Sequence, residues 1–545
     1  MNRYISILSS LLITTASIAQ TLSGDTINRT VLVESTYNPI VVSAVKRNFI
    51  PDAVEPSMNR TSIVYADKAM PITRLQRMVL PVETVTIAQA KPSSDYLHLA
   101  YGTHNNLDGM AAYHLLLGNH HTIILDGKVN GWNGNFYTPD EGWFASRYFH
   151  DEANLRYRFT FSQGELGAAL FTGLSSFNYL TTEDFNHNLE LNTDQRSTHV
   201  GGKVYVKGNV DTRFHYHADI TYTHAEQQVH FGIATPSIEN HIQSRLHLDA
   251  QLNNYGTFSL KLANELLSYP QSTATAINYI TLTPQWSSSF NRFSFTTGVN
   301  LDLSNQSYAR FKASPSCSIT YNSEKNLNAS LTLDGGHQLP TYSYLESLSP
   351  YWMRTPELQS SYTYLNAILS ANIRLFEGLH LHADGGYRII GSALFETISE
   401  INAIRYTGFV NRNTQLAHVT TKLSYNYKQQ FSCFAQGTYN HWMPQNDDRD
   451  ILTRAPQIDT KVGIKAHLFA GLSAHTNLRY VLFAADSKQE RETSIIDLNL
   501  GFHYALNTRW GFYLDGHNLL NRHYQYYTGY PSQGISAIAG VAFKF

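Results

Sequence analysis

Apolar and polar residues alternate along most of this chain, and that alternation limits what the chain can fold into. In one example the odd-numbered positions are apolar and the even-numbered positions are polar. Leu155, Tyr157, Phe159 and Phe161 alternate with Arg156, Arg158 and Thr160. Because successive side chains of a strand point to opposite faces, this pattern puts apolar groups on one face and polar groups on the other. The pattern starts near residue 94 and recurs to the C-terminus, which predicts an antiparallel sheet over most of the chain.

The connections between these strands are short and long in turn. About ten short turns alternate with about eleven longer loops, which predicts about 22 strands. The longer loops are expected at 131–150, 180–197, 225–241, 335–361, 392–413 and 519–533. A membrane strand needs about 9–11 residues, so residues 94–545 hold 22 of them with room for loops. Short turns at one end and long loops at the other are typical of outer-membrane barrels.

A soluble propeller or sandwich also contains many strands and is the main alternative. The strands expected here are longer than the usual length of about 5–6 residues. Tyr and Trp also concentrate near the strand ends, as they do in the aromatic belts of membrane barrels. We therefore predict an all-β fold, a transmembrane antiparallel β-barrel over residues 94–545, preceded by a short irregular N-terminal segment.

Composition supports a membrane barrel and excludes several other classes. Charged residues make up 15% of the chain, whereas a soluble domain carries about 25%. The mean hydropathy of −0.28 and the lack of long apolar stretches argue against helical spans. A net charge of −2 leaves no basic surface for nucleic acid. The two cysteines, Cys317 and Cys433, could form at most one disulfide, which is too few to stabilise a chain of 545 residues, and they show no zinc-binding spacing.

The first residues have the organisation of a secretory signal peptide. Arg3 supplies positive charge, and the apolar stretch Ile5–Ile18 is shorter than the about 20 residues of a spanning helix. We expect a signal peptide at residues 1–19, with cleavage between Ala19 and Gln20. The exported chain then belongs in the outer membrane of a Gram-negative bacterium, in contact with the lipid bilayer and lipopolysaccharide.

The last strand ends on an aromatic residue. Val541, Phe543 and the terminal Phe545 share its apolar face, while Gly540 and Lys544 lie on the other. An exposed strand edge can be captured by strand addition. We predict that Val541, Phe543 and Phe545 form the signal that the barrel-assembly machinery recognises during insertion.

A motif just upstream resembles the end of the TonB-dependent receptor family. It combines an N-L-x-[DN]-x-x-Y segment, a Y-P-x-x-G loop and a closing strand, carried here by Asn518, Leu519, Asn521, Tyr524, Tyr530, Pro531 and Gly534. Gln533 and Ile535 stand where that family usually has a proline and an arginine. The resemblance implies a barrel of 22 strands that binds or transports a solute across the outer membrane.

The N-terminal segment departs from that family. Residues 20–93 are only 74 residues, contain no Ile-Arg-Gly motif, and are too few for the family's full plug domain. Thr30–Pro56 instead resembles the leader of a plugless, receptor-like group whose members are associated with the barrel-assembly machinery. The prolines of residues 20–93 forbid long regular elements, so we expect an extended segment that lines the lumen. Engagement of TonB stays open.

Histidines and loop aromatics are the remaining candidates for chemistry. His215/His217 and His380/His382 would share strand faces, which permits metal binding but fits polar lumen lining better. No catalytic motif is present, so we expect no enzyme activity, no cofactor and no resident metal. The aromatic segments Asn130–Tyr137, Trp143-Phe144 and Tyr342–Trp352 suit capture of a carbohydrate or peptide, a membrane-interface belt, or a partner protein.

Two functions follow from these features. The first is a receptor-like barrel for binding or transport of a nutrient, which a partner surface lipoprotein would support. The second is a plugless accessory or scaffold barrel of an outer-membrane complex such as the barrel-assembly machinery. Fold resemblance alone does not separate them, since function depends on the site.

Overall fold

A computed structural model describes residues 95–545 apart from 139–141, 182–193, 212, 229–236, 253–254, 272–274, 307–309, 324–325, 354–357, 402–403 and 429. The expected signal peptide at 1–19, its cleavage site at Ala19 and Gln20, and the segment 20–93 lie outside these residues. No helix among the described residues is long and apolar enough to span a membrane.

Twenty-two antiparallel strands form one sheet, which confirms the predicted fold class and strand number. They are β1 (Tyr96–Gly102), β2 (Leu107–Leu117), β3 (His121–Thr138), β4 (Gly142–Phe161), β5 (Gly164–Asn178), β6 (Asp194–Asn209), β7 (Phe214–Gln228), β8 (Ser237–Gln251), β9 (Thr257–Ser268), β10 (Ile277–Phe290), β11 (Phe293–Ser304), β12 (Phe311–Pro315 and Cys317–Asn322), β13 (Leu327–Gln338), β14 (Ser361–Phe376), β15 (Leu379–Ile401), β16 (Ile404–Tyr427), β17 (Phe431–Pro444), β18 (Pro456–Phe469), β19 (Leu472–Phe483), β20 (Ile495–Ala505), β21 (Trp510–His517) and β22 (Ser536–Lys544).

Short elements occupy the connections. Within the described residues they are one helix, α1 (Tyr342–Leu348), the 3₁₀ turns Thr103–Asn105, Gln445–Asp447 and Arg449–Leu452, and the short strands Leu180–Thr181, Gln525–Tyr527 and Tyr530–Pro531. The strand Leu180–Thr181 does not belong to the wall, because it pairs with Ile404 and Arg405 at the upper end of β16.

The first and last strands pair with each other and close the ring. In the register of this seam Tyr96 lies opposite Lys544, and Leu99 lies opposite Val541. β22 pairs on its other edge with β21, and the backbone N–H of Phe545 donates to the Asp95 carbonyl at 3.0 Å. No strand edge along the wall is therefore left for another chain to extend.

The alternating pattern assigns the two faces of the wall as predicted. Leu155, Tyr157 and many other apolar side chains are exposed on the outer face. The inner face is polar and linked by ion pairs, such as Arg245 Nη2 to Asp219 Oδ2 at 3.1 Å and Lys203 Nζ to the same oxygen at 3.7 Å. An apolar exterior and a charged lumen are the arrangement of a barrel that crosses a bilayer.

Ten short turns and both ends of the wall lie at one rim, and eleven connections lie at the other. The rim with the short turns is the periplasmic one in barrels of this type. The strands differ greatly in length. β15 and β16 have 23 and 24 residues, about twice what a bilayer requires, so their outer halves project beyond the membrane.

Two of the expected loops are wrong, because the structure shows strand there. Residues 131–150 are mostly paired between β3 and β4, up to Thr138 opposite Gly142. Residues 392–413 are likewise paired between β15 and β16. Residues 131–150 contain three Gly and two Asn residues, which favour turns locally, but in both segments pairing with the neighbouring strand decides the conformation.

Gly540 tests the closure of the ring. A side chain at this inward position would meet the Tyr513 ring and would place Cβ 2.6 Å from the Ala100 Cβ. Overpacking of this kind costs about 1–3 kcal/mol, so we expect Gly540→Val to reduce the folded fraction that migrates fast in unheated SDS gels. Ala539→Val adds two methyl groups on the exposed outer face and should fold normally. Equal folding of both variants would contradict the described seam.

Candidate functional site: the capped outer mouth

Helix α1 lies in the long connection between β13 and β14 and begins the closure of the outer mouth. The Thr341 side chain accepts a hydrogen bond from the Tyr344 N–H at 3.2 Å and caps the helix. The Tyr342 N–H donates to the Glu239 carboxylate of β8 at 3.0 Å. Leu345 and Leu348 are buried against a cluster that includes Tyr279 of β10. The helix is thus held against the inner wall by its own apolar face.

The chain after α1 crosses to the projecting part of β16. The Thr407 N–H donates to the Tyr351 carbonyl at 2.8 Å, and the Met353 N–H donates to the Thr407 carbonyl at 3.2 Å. The Trp352 carbonyl accepts from the Tyr179 hydroxyl and from Gln227 Nε2, both at 2.9 Å. These contacts join strands from different sides of the barrel, so the segment spans the mouth.

The last connection, residues 518–535, carries the motif residues and supplies the other half of the closure. Asn518 and Asn521 have φ angles of 47°, and Gly534 has φ of 71°. Asn518 Oδ1 accepts from the Arg522 N–H at 3.0 Å, and Asn521 Oδ1 accepts from the Ile535 N–H at 3.0 Å. Asn tolerates this left-handed conformation better than most residues. The motif therefore fixes the path of the loop.

Tyr530 of the motif meets Tyr351 at the centre of the mouth. Their rings are stacked, with centroids 3.5 Å apart and planes 3° apart. The Tyr530 hydroxyl donates to the Arg405 carbonyl at 2.6 Å. Burial raises the pKa of both hydroxyls well above the usual value, so each remains protonated and available as a donor. We call the described residues of the two joined connections, 339–353 with 358–360 and 518–535, the cap.

The other motif residues also have defined places. Tyr524 is buried, and its hydroxyl lies 3.4 Å from that of Tyr526. The Leu519 N–H donates to the Leu498 carbonyl at 2.9 Å, and Pro531 pairs with Gln525. Val541 and Phe543 lie on the outer face of β22, and Phe545 ends the chain at the periplasmic rim, away from the cap.

The structure brings the predicted aromatic segments together only in part. Trp132 and Phe144 pack against the cluster that contains Tyr351. Tyr137 and Trp143 instead lie exposed at the tip of the β3–β4 hairpin, with ring centroids 5.5 Å apart. The cap residues outside these segments, such as Tyr179 and Thr407, had no local sequence signal, because their partners are far away in the chain.

A cavity of about 120 Å³ lies between the cap and the wall. Its lining combines aromatic rings with a few polar side chains, and the residues that matter below are Asp108, Asn130, Trp132, Tyr351, Tyr527 and Tyr530. Strands β2–β4 and β21–β22 line it on the side of the wall, and the cap lines it on the other side.

The histidine pairs face the lumen and contact carboxylates. His217 Nε2 lies 3.2 Å from Asp219 Oδ1, and His382 Nε2 lies 3.2 Å from Asp384 Oδ1. Among the described residues no group of three or more His, Cys, Asp or Glu side chains is placed to hold a metal ion. The pairs therefore contribute to the polar lining of the wall.

No protein-family model matches this sequence, and no curated protein matches it. Solved structures do match its fold. The copper transporter OprC is 13% identical, with a TM-score of 0.61 over 83% of this chain and 80% of OprC. The FrpB iron transporter from Neisseria meningitidis is 10% identical, with a TM-score of 0.64 over 83% of this chain and 81% of FrpB.

The siderophore receptor PiuA from Acinetobacter baumannii is 9% identical, with a TM-score of 0.61 over 83% of this chain and 82% of PiuA. These neighbours are receptors and transporters of the TonB-dependent type. Identities this low show the fold alone. The chain is a large outer-membrane β-barrel with the 22-stranded fold of those receptors.

Tyr351 tests the packing of the cap. Truncating a buried aromatic residue costs about 3 kcal/mol, which corresponds to about 100-fold in an opening equilibrium. We expect Tyr351→Ala to speed backbone hydrogen exchange at residues 404–410 by about that factor in mass spectrometry. Tyr137→Ala removes an exposed aromatic residue and should change nothing there. Unchanged exchange in Tyr351→Ala would show that the cap does not depend on the stack.

Proposed function

We propose that this chain is an outer-membrane receptor barrel that binds a solute at its capped mouth and takes it up. The observation that carries the proposal is the cavity between cap and wall, which combines aromatic rings with polar side chains at the outer rim. Such concave, largely apolar sites with a few polar groups are the usual form of ligand sites. The fold that this chain shares with known transporters and receptors supports the same conclusion.

Uptake requires the cap to move. Apart from contacts made by side chains, two backbone hydrogen bonds between Tyr351, Met353 and Thr407 join it to β16. The polar, charged inner wall then gives a hydrated path inwards. Binding of a solute in the cavity would favour the open state of the cap only if the protein binds the solute more tightly in the open state than in the closed state.

We also propose that residues 20–93, after cleavage at Ala19, line the lumen in place of a full plug. A barrel of this size would otherwise enclose a water-filled channel, and large barrels are normally filled. The proline content of the segment fits an extended path along the wall. Complete hydrogen exchange of residues 30–92 in the folded protein would contradict this arrangement. Copurification of TonB or of a surface lipoprotein with the barrel would show whether either protein binds it.

Val541, Phe543 and Phe545 are proposed to direct assembly of the barrel. Deletion of Phe545 should lower the amount of barrel in the outer membrane several-fold, because the strand edge that initiates pairing loses its terminal aromatic residue. Quantitative immunoblots of outer-membrane fractions would measure this. Phe512→Ala removes another exposed aromatic residue of the outer face and should reduce the amount less. Equal losses would leave the terminal position without a special role.

A second candidate function is that of an accessory barrel in an outer-membrane complex such as the barrel-assembly machinery. The tightly packed cap favours it, since Leu345, Trp352 and Thr407 are completely buried and such a mouth suits a barrel that stays shut. The short N-terminal segment also fits this role.

One comparison of strains separates the two functions. We expect a deletion strain to leave a defined solute unconsumed in the medium, as measured by untargeted mass spectrometry, with consumption restored by the wild-type gene. The abundance of other barrel proteins in the outer membrane should stay unchanged. Unaltered solute consumption together with a general loss of barrel proteins, and near-stoichiometric assembly subunits on purification in mild detergent, would establish the accessory role instead.

A further inference from the structure

Seven of the 21 described residues that line the cavity under the cap are aromatic. The contributing residues are Trp132, Phe136, Tyr351, Tyr524, Tyr526, Tyr527 and Tyr530. Two pairs of these rings meet at steep angles. Tyr351 and Tyr527 lie 5.7 Å apart with planes at 72°, and Tyr524 and Tyr526 lie 4.9 Å apart with planes at 82°. Rings at near right angles form corners, and corners of this kind surround a compact ligand on several sides.

Asp108 is the one acidic side chain among the described residues that line the cavity, and His517 is the one basic side chain. Asp108 is 7% exposed and lines the cavity, and its Oδ2 makes no hydrogen bond. The nearest basic nitrogen is Nε2 of His98, at 3.5 Å, and that histidine also contacts the Tyr513 hydroxyl. Asn130 adds a second acceptor, an Oδ1 without a hydrogen-bond partner. No lysine or arginine is present among the described residues that line the cavity.

This lining disfavours an anion and favours a cation. A buried carboxylate without a hydrogen bond is costly unless a cation or donor reaches it. The faces of Trp and Tyr rings attract cations as well, and aromatic cages are the usual way in which proteins bind quaternary ammonium groups. A simple metal cation is a poorer fit, because it requires several oxygen or nitrogen ligands, and no group of three or more His, Cys, Asp or Glu side chains among the described residues is placed to supply them.

The size of the cavity limits the part of a ligand that it can enclose. Its volume of about 120 Å³ is somewhat less than the roughly 150 Å³ of an apolar cavity that binds benzene. A trimethylammonium group, with its four non-hydrogen atoms, is smaller than benzene. A complete sugar ring with its hydroxyl groups is larger.

We propose that the cavity under the cap binds an organic ammonium group, with the rings around its methyl groups and Asp108 beside its charge. This inference rests on the proposed function, because it names the class of solute that the capped mouth recognises. The same head group occurs on free solutes such as choline and on phosphocholine lipids, and the experiment separates these sources.

Calorimetric titration of the whole barrel, purified in a maltoside detergent, tests the proposal. The probes are choline and 3,3-dimethyl-1-butanol, which has the same shape without the charge. We expect choline to bind at least about tenfold more tightly than the neutral alcohol. Glycerophosphocholine should bind less tightly than choline if the site takes free solutes, and at least as tightly if it takes lipid head groups.

Two variants assign the binding to this cavity. Asp108→Asn keeps the shape of the side chain and should remove most of the preference for choline over the alcohol. Tyr527→Leu should weaken choline binding several-fold through the loss of one ring. Trp143→Leu removes an exposed aromatic residue at the hairpin tip and should bind choline like the wild type. Migration in unheated gels confirms that each variant is folded.

Equal affinity for choline and the alcohol, an unchanged preference in Asp108→Asn, or no binding of either probe would each overturn the proposal. Competition by a neutral sugar but not by choline would replace the ammonium group with a carbohydrate. These results are independent of the uptake measurement. A solute of another class consumed through the barrel would leave the proposed function standing and remove only this inference.

Discussion

Backbone N–H and C=O groups have no water to bind inside a bilayer, and the closed ring of strands is the consequence of that constraint. Every wall strand pairs on both edges, and the seam between β1 and β22 completes the ring. Once the wall is closed, alternation along each strand fixes the two surfaces. Apolar residues such as Leu155 contact lipid, and polar residues such as Asp219 form the ion pairs of the lumen.

The same pairing continues beyond the membrane and makes the cap possible. β15 and β16 are long enough to carry Arg405 and Thr407 out over the mouth, where they meet Tyr530 and Tyr351. The cap is therefore a small hydrophobic core built on the ends of strands. Its closure creates the aromatic cavity and also determines how that cavity can be reached from outside.

Much of the architecture could be predicted from the sequence, because its signals are local. The alternation of apolar and polar residues predicted the strands of the wall, and the turn residues predicted their number. The terminal Phe545 predicted the last strand. The motif residues Asn518 and Tyr530 were recognised by their spacing. The sequence did not show that Asn518 fixes the path of the loop or that Tyr530 stacks on Tyr351. Residues 131–150 and 392–413 were expected as loops, but each folds back on itself as a pair of strands, and the local sequence does not report that pairing.

The cap could not be predicted for a related reason. Its central contacts join Tyr351 to Tyr530 and Tyr179 to Trp352, residues separated by more than a hundred positions, and no periodicity reports such contacts. The aromatic residues of 342–352 were expected in a ligand site, a membrane-interface belt or a surface for a partner protein. In the structure Tyr342 and Trp352 are buried, and Tyr351 lines the cavity between the cap and the wall.

Labelling of a single cysteine tests the closed mouth most directly. With Cys317 and Cys433 replaced by alanine, Thr407→Cys places a thiol at a position that is completely buried under the cap, and Trp143→Cys places one at an exposed tip. On intact cells a membrane-impermeant maleimide should label Trp143→Cys rapidly and Thr407→Cys hardly at all, and adding Tyr351→Ala should make the second thiol reactive. Equally rapid labelling of both single-cysteine proteins would contradict the capped mouth.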